Sequence, residues 1–212
     1  MGRPADPNEA REWLQLLGAI APRPFSGTAY RFIGSRFLSS PLSGAGSLHY
    51  GGRLNPAGAF EVLYTALAAD TALAEREGIL LTANGIKLAR TIRTAVLLRI
   101  DCQLSSILDL TDEQLRCQLR ITSADLLGPW LPWSAADPDD RGERAAPSQR
   151  LGAAVYASRR FEAIMTPSAK DPGGRCLAVF PDHLQAGSRI TIDDPAGIIA
   201  GALGIAPARR QG

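Results

Sequence analysis

The sequence predicts an α+β fold, a twisted mixed sheet with flanking helices, on the strength of three observations. Short runs of strand character recur at residues 30–33, 60–66, 95–100, 107–110, 163–166, 177–180 and 189–192. Helical patterns interrupt them at irregular intervals, after Asp6, after Asp70, after Thr111 and over 148–160. The regular strand–helix–strand alternation of a parallel α/β sheet is missing.

The first helix opens at Asp6-Pro7, a capping residue followed by proline at the first helical position. Trp13, Leu14, Leu16 and Leu17 give it an apolar face, and Pro22 and Pro24 end it. Residues 30–33 then read as a short strand. Residues 34–59 hold six glycines and five serines with little periodicity, a loop whose length in a compact domain marks function or disorder. Alternation over 60–66 gives a strand ending at Tyr64-Thr65. Asp70 caps a helix through Glu77, which Gly78 stops.

Residues 95–100 form an apolar run and 107–110 a second one, read as separate strands. Thr111-Asp112-Glu113-Gln114 fits a capping box before a short helix. Residues 130–147, rich in Pro and Asp, are irregular and mobile at their centre. Leu151, Ala154, Val155 and Ser158 follow the i, i+3, i+4, i+7 spacing of a helix. The strands at 163–166 and 177–180 flank Pro167-Ser168-Ala169 and the turn Asp171-Pro172-Gly173-Gly174. A last strand is read at 189–192, and the tail after Ile205 is loose.

At 212 residues and 22.5 kDa the chain suits one domain with appended segments. The expected division is an N-terminal helical extension at 1–27, a main domain at 28–195 and a C-terminal tail at 196–212. A hydrophobic share of 45% supplies a core. Formal net charge is only +2, against the concentrated basic face of a dedicated nucleic-acid binder. Three scattered cysteines without a CxxC pair argue against a zinc site or a disulfide framework. No metal is expected. No signal-peptide core or run of roughly 20 apolar residues is present, so a soluble, cytoplasmic protein without a membrane partner is expected.

The candidate chemistry lies between Tyr30 and Glu77. Arg31 sits between Tyr30 and Phe32, whose side chains face opposite to its own. Arg53 follows Gly51-Gly52, where absent side chains let a phosphate approach backbone amides. Tyr64 ends its strand, and Glu75 lies on a helix whose Ala68 and Ala72 leave space above the carboxylate. Arginines bind phosphate bidentately, and a carboxylate stabilises an oxocarbenium-like centre. Together they suit a nucleotide whose glycosidic bond is broken. Each residue also has an ordinary reading: an exposed strand arginine, a turn arginine, a half-buried tyrosine, a solvated helical glutamate. Ser168, between a strand and a glycine turn, is a ligand-contacting or loop-ending serine; Ser148 competes with it or caps the following helix. His49 and His183 are too few and too far apart for a metal site.

The ordered series resembles the RES-domain family, named for its arginine, glutamate and serine. The resemblance rests on Arg31 beside Tyr30, on Gly51-Gly52-Arg53-Leu54-Asn55, on Tyr64 and on Glu75, with eleven residues from Arg53 to Tyr64 and eleven more to Glu75. It continues through Gln149-Arg150-Leu151-Gly152, Thr166-Pro167-Ser168-Ala169 and Phe180-Pro181-Asp182-His183, spanning roughly residues 28–195. Leu54 stands where the family has tryptophan, and the family serine falls on Ser168 or Ser148.

The resemblance implies a fold like that of diphtheria-toxin-type ADP-ribosyltransferases and attack on NAD at the nicotinamide–ribose bond. It implies that Arg31 and Arg53 hold the pyrophosphate, that Tyr64 packs on the nicotinamide or its ribose, and that Glu75 holds the ribose hydroxyls. Hydrolysis or phosphorolysis of NAD is the leading expectation, making the chain a toxin held by an Xre-type antitoxin. Transfer of ADP-ribose to a protein is the alternative within the family. A catalytically silent nucleotide- or partner-binding module is the alternative outside it, and nucleic-acid binding is the weakest reading.

Overall fold

The computed structural model describes residues 8–76, 79–81, 87–89, 94–130, 145–197, 199 and 202–204, the short segments 79–81, 87–89 and 202–204 by backbone alone. In chain order the elements begin with α1 (Glu9–Ala19), β1 (Arg23–Gly34), α2 (Ala45–Tyr50), β2 (Leu63–Ala66) and α3 (Ala69–Glu75). Then come β3 (Ile79–Leu81), β4 (Lys87–Ala89), β5 (Ala95–Asp109), α4 (Glu113–Gln118) and α5 (Ser123–Leu127). The last are α6 (Pro147–Ser158), β6 (Ala163–Pro167), β7 (Arg175–Val179), β8 (Arg189–Ile192) and β9 (Ala202–Gly204). The class is the expected one, α+β with a mixed sheet and flanking helices.

Seven strands run in the order β1-β2-β7-β6-β5-β8-β9, and β1 also pairs with β5 from Arg23–Ile107 to Gly34–Ala95. Strands β1, β2, β7, β6 and β5 therefore close on one another. Among the described strands only β5 and β6 run parallel; β3 and β4 form a separate antiparallel pair.

Period-2 alternation assigns side chains to two core clusters. Leu63, Ala163, Met165, Leu177 and Val179 join Ala29, Ile33 and Leu98 in one. Val62, Ile164, Ala178 and Phe180 join Leu54, Leu151 and Val155 of the turn and α6 in the other. This second cluster includes Trp13 and Leu17 of α1, and the Trp13 indole Nε1–H donates to Leu119 O at 2.8 Å. The buried Glu9–Arg150 ion pair, at 2.7 Å, ties α1 to α6. Among the described residues no helix is long and apolar enough to cross a membrane.

Several expectations are corrected. The strand at 30–33 starts at Arg23 and contains Pro24 at a register shift, where a residue without an N–H is tolerated. The runs at 95–100 and 107–110 belong to one strand, β5. Its middle alternates exposed Asp101 and Gln103 with buried Cys102 and Leu104, a half-buried pattern that apolar runs do not reveal. Asp70 is not the cap of α3: the N-cap is Ala68, and Asp70 lies in the first turn, where its charge favours the helix dipole. Thr111 is no cap either. Its hydroxyl donates to Asp109, and Asp112 accepts from the amides of Gln114 and Leu115. Helix α6 starts at Pro147 after Ala146, so Ser148 is not its N-cap.

The loop expected at 34–59 contains α2, and α5 was not foreseen despite its Thr122/Asp125 capping box. The Asp6-Pro7 helix start, the Gly78 stop, the irregular centre at 131–144 and the tail after Ile205 lie outside the described residues.

Glu162 locks the point where β5 leaves β8 and takes up β6. It is completely buried, and its carboxylate accepts from the Ser105, Ser106 and Gln185 amides at 2.7, 2.9 and 2.6 Å. Burial alone would raise its pKa, but the Gln185, Ser188, Ser106 and Ser105 hydrogen bonds outweigh it and hold the carboxyl below the ordinary glutamate range. A depressed folded-state pKa adds stability above the unfolded-state value and loses it as pH falls through the folded one. Glu162→Gln is expected to cost on the order of 2 kcal/mol at neutral pH. Chemical denaturation from pH 7 to pH 3 should show the difference from wild type shrinking below about pH 4.5. A difference constant with pH would contradict this role.

Candidate active site

A cleft of about 610 Å3 opens between β1, β2, α3 and the turn Gly51–Asn55. Arg31, Arg53, Tyr64 and Glu75 all line it. Residues spread over 45 positions of sequence thus meet on one surface, because β1 and β2 are neighbours and α3 follows β2 directly.

Arg31 shares a face of β1 with buried Ala29 and Ile33, opposite to Tyr30 and Phe32, and from that face it lines the cleft. Its Nη2 donates to Ser43 O at 2.9 Å, whereas Nη1 is buried without a hydrogen-bond partner among the described residues. Burial lowers its pKa to about 10, and Glu61 opposes the shift. The guanidinium therefore remains charged at neutral pH, with one buried donor available to an anion.

Arg53 is held from behind. Its Nη1 donates to Gly128 O at 2.7 Å and more weakly to Leu126 O at 3.4 Å, gripping the end of α5. Burial lowers its pKa, and the Glu75 carboxylate is the chief opposing influence. That coupling is the electrical link between the cationic wall and the acid.

Tyr64 is fixed through its oxygen. It accepts from Leu54 N and donates to Asn55 Oδ1, both at 2.8 Å. Burial raises its pKa, so the phenol stays neutral. Asn55, the last letter of the Gly51–Asn55 motif, is fully buried and donates to Ser47 O at 2.7 Å and Phe60 O at 3.0 Å. Gln149 of α6 donates to Gly52 O at 2.9 Å and Asn55 O at 3.3 Å. The glycine turn is thus bound to β2 on one side and α6 on the other. Gly52 has no room for a side chain: a Cβ would come within 2.6 Å of the Tyr64 ring.

Glu75 is the last residue of α3, where the helix dipole disfavours a carboxylate. Compensation comes from outside the helix. Ser168 Oγ donates to Glu75 Oε1 at 2.5 Å and the Ala169 amide at 3.0 Å. Cys176 Sγ lies 3.7 Å from the same oxygen, its thiol pushed up to about 12 by burial and then by Glu75. Thr71 fastens the other end of α3 to the same turn through Asp171 at 2.6 Å. Ala72 lines the cleft as expected of a small residue, while Ala68 is not among its walls.

The two candidate serines separate. Ser168 holds Glu75 and accepts from the Lys170 and Asp171 amides at 3.1 and 3.0 Å. Neither serine is among the cleft walls; Ser148 is buried in the first turn of α6, and its Oγ has no partner among the described residues. Ser168→Ala should reduce catalytic efficiency about tenfold, the size of one hydrogen bond to a charged group. Ser148→Ala should leave it within twofold. Steady-state kinetics on both variants decide the matter, and equal effects would count against Ser168 as the support of Glu75.

His49 is exposed on α2, and His183 is buried with Nδ1 3.2 Å from Phe161 O and its ring stacked on Tyr156. Among the described residues no three His, Cys, Asp or Glu side chains gather as a metal ion would need. Sequence reading missed the supporting roles of Asn55, Gln149 and Cys176. Asn55 and Gln149 were visible as motif letters, but Cys176 gave no signal.

A model of the RES domain matches residues 28–198. No curated protein matches the chain. Among solved structures, the crystal structure of the M. tuberculosis MbcT-MbcA toxin-antitoxin complex matches with a TM-score of 0.62 and 23% identity over 93% of each chain. At that identity the likeness is one of fold. With the RES model covering most of its length and the cleft assembled from residues inside the matched region, the chain belongs to the RES domain family.

Proposed function

We propose that this chain is a toxin-type enzyme that cleaves the nicotinamide–ribose bond of NAD. One observation carries the reading. A carboxylate fixed by Ser168 and Ala169 shares a cleft with two partly desolvated guanidiniums, one of them with a buried donor unfilled among the described residues. An anionic group in front of Arg31 and Arg53 satisfies those donors, and the NAD pyrophosphate is such a group.

In this reading Tyr64 packs on the nicotinamide or its ribose, and Glu75 accepts from the ribose hydroxyls. The C1′–N bond breaks with its electron pair going to the ring nitrogen, so that nicotinamide leaves neutral. Glu75 stabilises the positive charge left on the ribose. Water or phosphate then bonds to C1′ and releases a proton, giving ADP-ribose or its 1-phosphate. Held in place, the substrate needs positioning and charge complementarity more than acid–base chemistry.

Purified protein incubated with NAD, with and without phosphate, tests the proposal by the release of free nicotinamide. No release under either condition would overturn it. Labelled NAD added to cell protein separates transfer to a protein from hydrolysis. An antitoxin is the proposed partner, since a solved structure of like fold is a toxin–antitoxin complex; that it is of Xre type rests on the family resemblance. Expression should arrest growth as cellular NAD falls, and co-expression of the antitoxin should relieve the arrest.

A further inference from the structure

Leu54, at the position where the family carries tryptophan, is 2% exposed and belongs to the core, so it offers no ring to a ligand. A different aromatic residue reaches the cleft. Trp130 is half-buried and lines it together with Pro129. Nothing in the local pattern of residues 129–130 announces that placement.

Tertiary structure explains it. Arg53 holds Gly128 O at 2.7 Å, and Trp130 follows two residues later, its Cα at most ~7 Å farther along the chain. Arg53 and Trp130 thus line one cleft, so a phosphate on the guanidinium and a ring against the indole can belong to one bound nucleotide. Tyr64 has both its hydrogen-bonding directions committed to Leu54 N and Asn55 Oδ1, which leaves its orientation little freedom. Trp130 carries no such tether in the described structure.

We infer that Trp130 is a specificity-determining residue that stacks on a planar heteroaromatic ring of the substrate, held in position by the grip of Arg53 on the end of α5. This rests on the reading of the cleft as an NAD site. The ring is either the nicotinamide or the adenine, since both present a π-face, and base–aromatic stacking tolerates differences in ring identity.

The test uses the full chain with Trp130→Leu and Trp130→Phe, each checked for an unchanged thermal midpoint. Trp130→Leu should raise KM for NAD roughly tenfold, the size of a lost base–aromatic stack, with kcat within about twofold. Trp130→Phe keeps a ring and should recover most of the loss, which a merely space-filling role would not produce. Tryptophan fluorescence, read in a Trp133→Phe background, should be quenched by NAD and lose that quenching in Trp130→Leu. Quenching by ADP-ribose alone assigns the stack to adenine; quenching by nicotinamide mononucleotide alone assigns it to nicotinamide. An unchanged KM in Trp130→Leu, while Glu75→Gln is inactive, overturns this inference and leaves the NAD reading standing. A wild-type protein that neither binds nor cleaves NAD overturns both.

Discussion

Glu75→Gln is expected to lower nicotinamide release by about 10^3-fold, with a thermal midpoint within roughly 2 °C of wild type. Glutamine keeps the length and branching of the side chain. Its carbonyl oxygen still accepts from Ser168 Oγ and the Ala169 amide, the two groups that fix Glu75 at 2.5 and 3.0 Å. Only the negative charge disappears. In the proposed reaction that charge would face the ribose as it becomes cationic, and in the structure it balances Arg53. Charge removed from the last residue of α3 relieves a small clash with the helix dipole, so the fold does not suffer. Nicotinamide release within tenfold of wild type would show that Glu75 is not the stabilising acid. A collapse of the thermal midpoint would show instead that its hydrogen bonds serve the fold first.

Gly152→Ala should produce the largest structural effect of any single substitution considered. A Cβ at that position would lie 1.9 Å from Leu54 O and 2.7 Å from Leu54 C. Both are backbone atoms of the turn that carries Arg53, so neither can swing aside as a flexible side chain would. Helix α6 and the turn meet backbone to backbone here, with Gln149 one turn earlier holding Gly52 O and Asn55 O. Forcing them apart is expected to cost about 3 kcal/mol or more. For a chain of this size that lowers the thermal midpoint by roughly 10 °C. Activity measured well below the new midpoint should still be reduced, mainly through KM, because Arg53 moves with the turn. An unchanged midpoint would mean that the helix and the turn are not in the contact described.

Both effects concern residues that were legible as letters before their physical roles were. Arg31, Arg53, Tyr64 and Glu75 could be picked out in order, yet each had an ordinary reading too, and only their ordered series and its family resemblance set them apart. Gln149 and Gly152 were read only as a helix start. Their contacts run to residues about a hundred positions earlier, and no local period encodes such a distance. Ser168 and Ser148 were indistinguishable for the same reason. Each follows a proline, and only the packing of the 168–174 turn on α3 brings one of them to Glu75.

Strand and helix identity came largely from local chemistry. Alternation placed β2, short runs of strand character placed β6, β7 and β8, and the i, i+3, i+4, i+7 face of α6 was plain. Continuity was harder to read. Strand β5 was divided at its polar middle because Asp101 and Gln103 look like a break until β1 and β8 supply partners on either side. Amino-acid order alone settled the class of fold, the place of most strands of the large sheet and the inventory of charged groups available for chemistry, since these depend on side-chain period and residue type. Tertiary packing decided the rest: which serine supports the acid, how deeply Arg31 is buried beside the cleft and that Trp130 lines it. Those depend on contacts between distant segments, and such contacts exist only once burial of the two apolar clusters has drawn the strands and helices together.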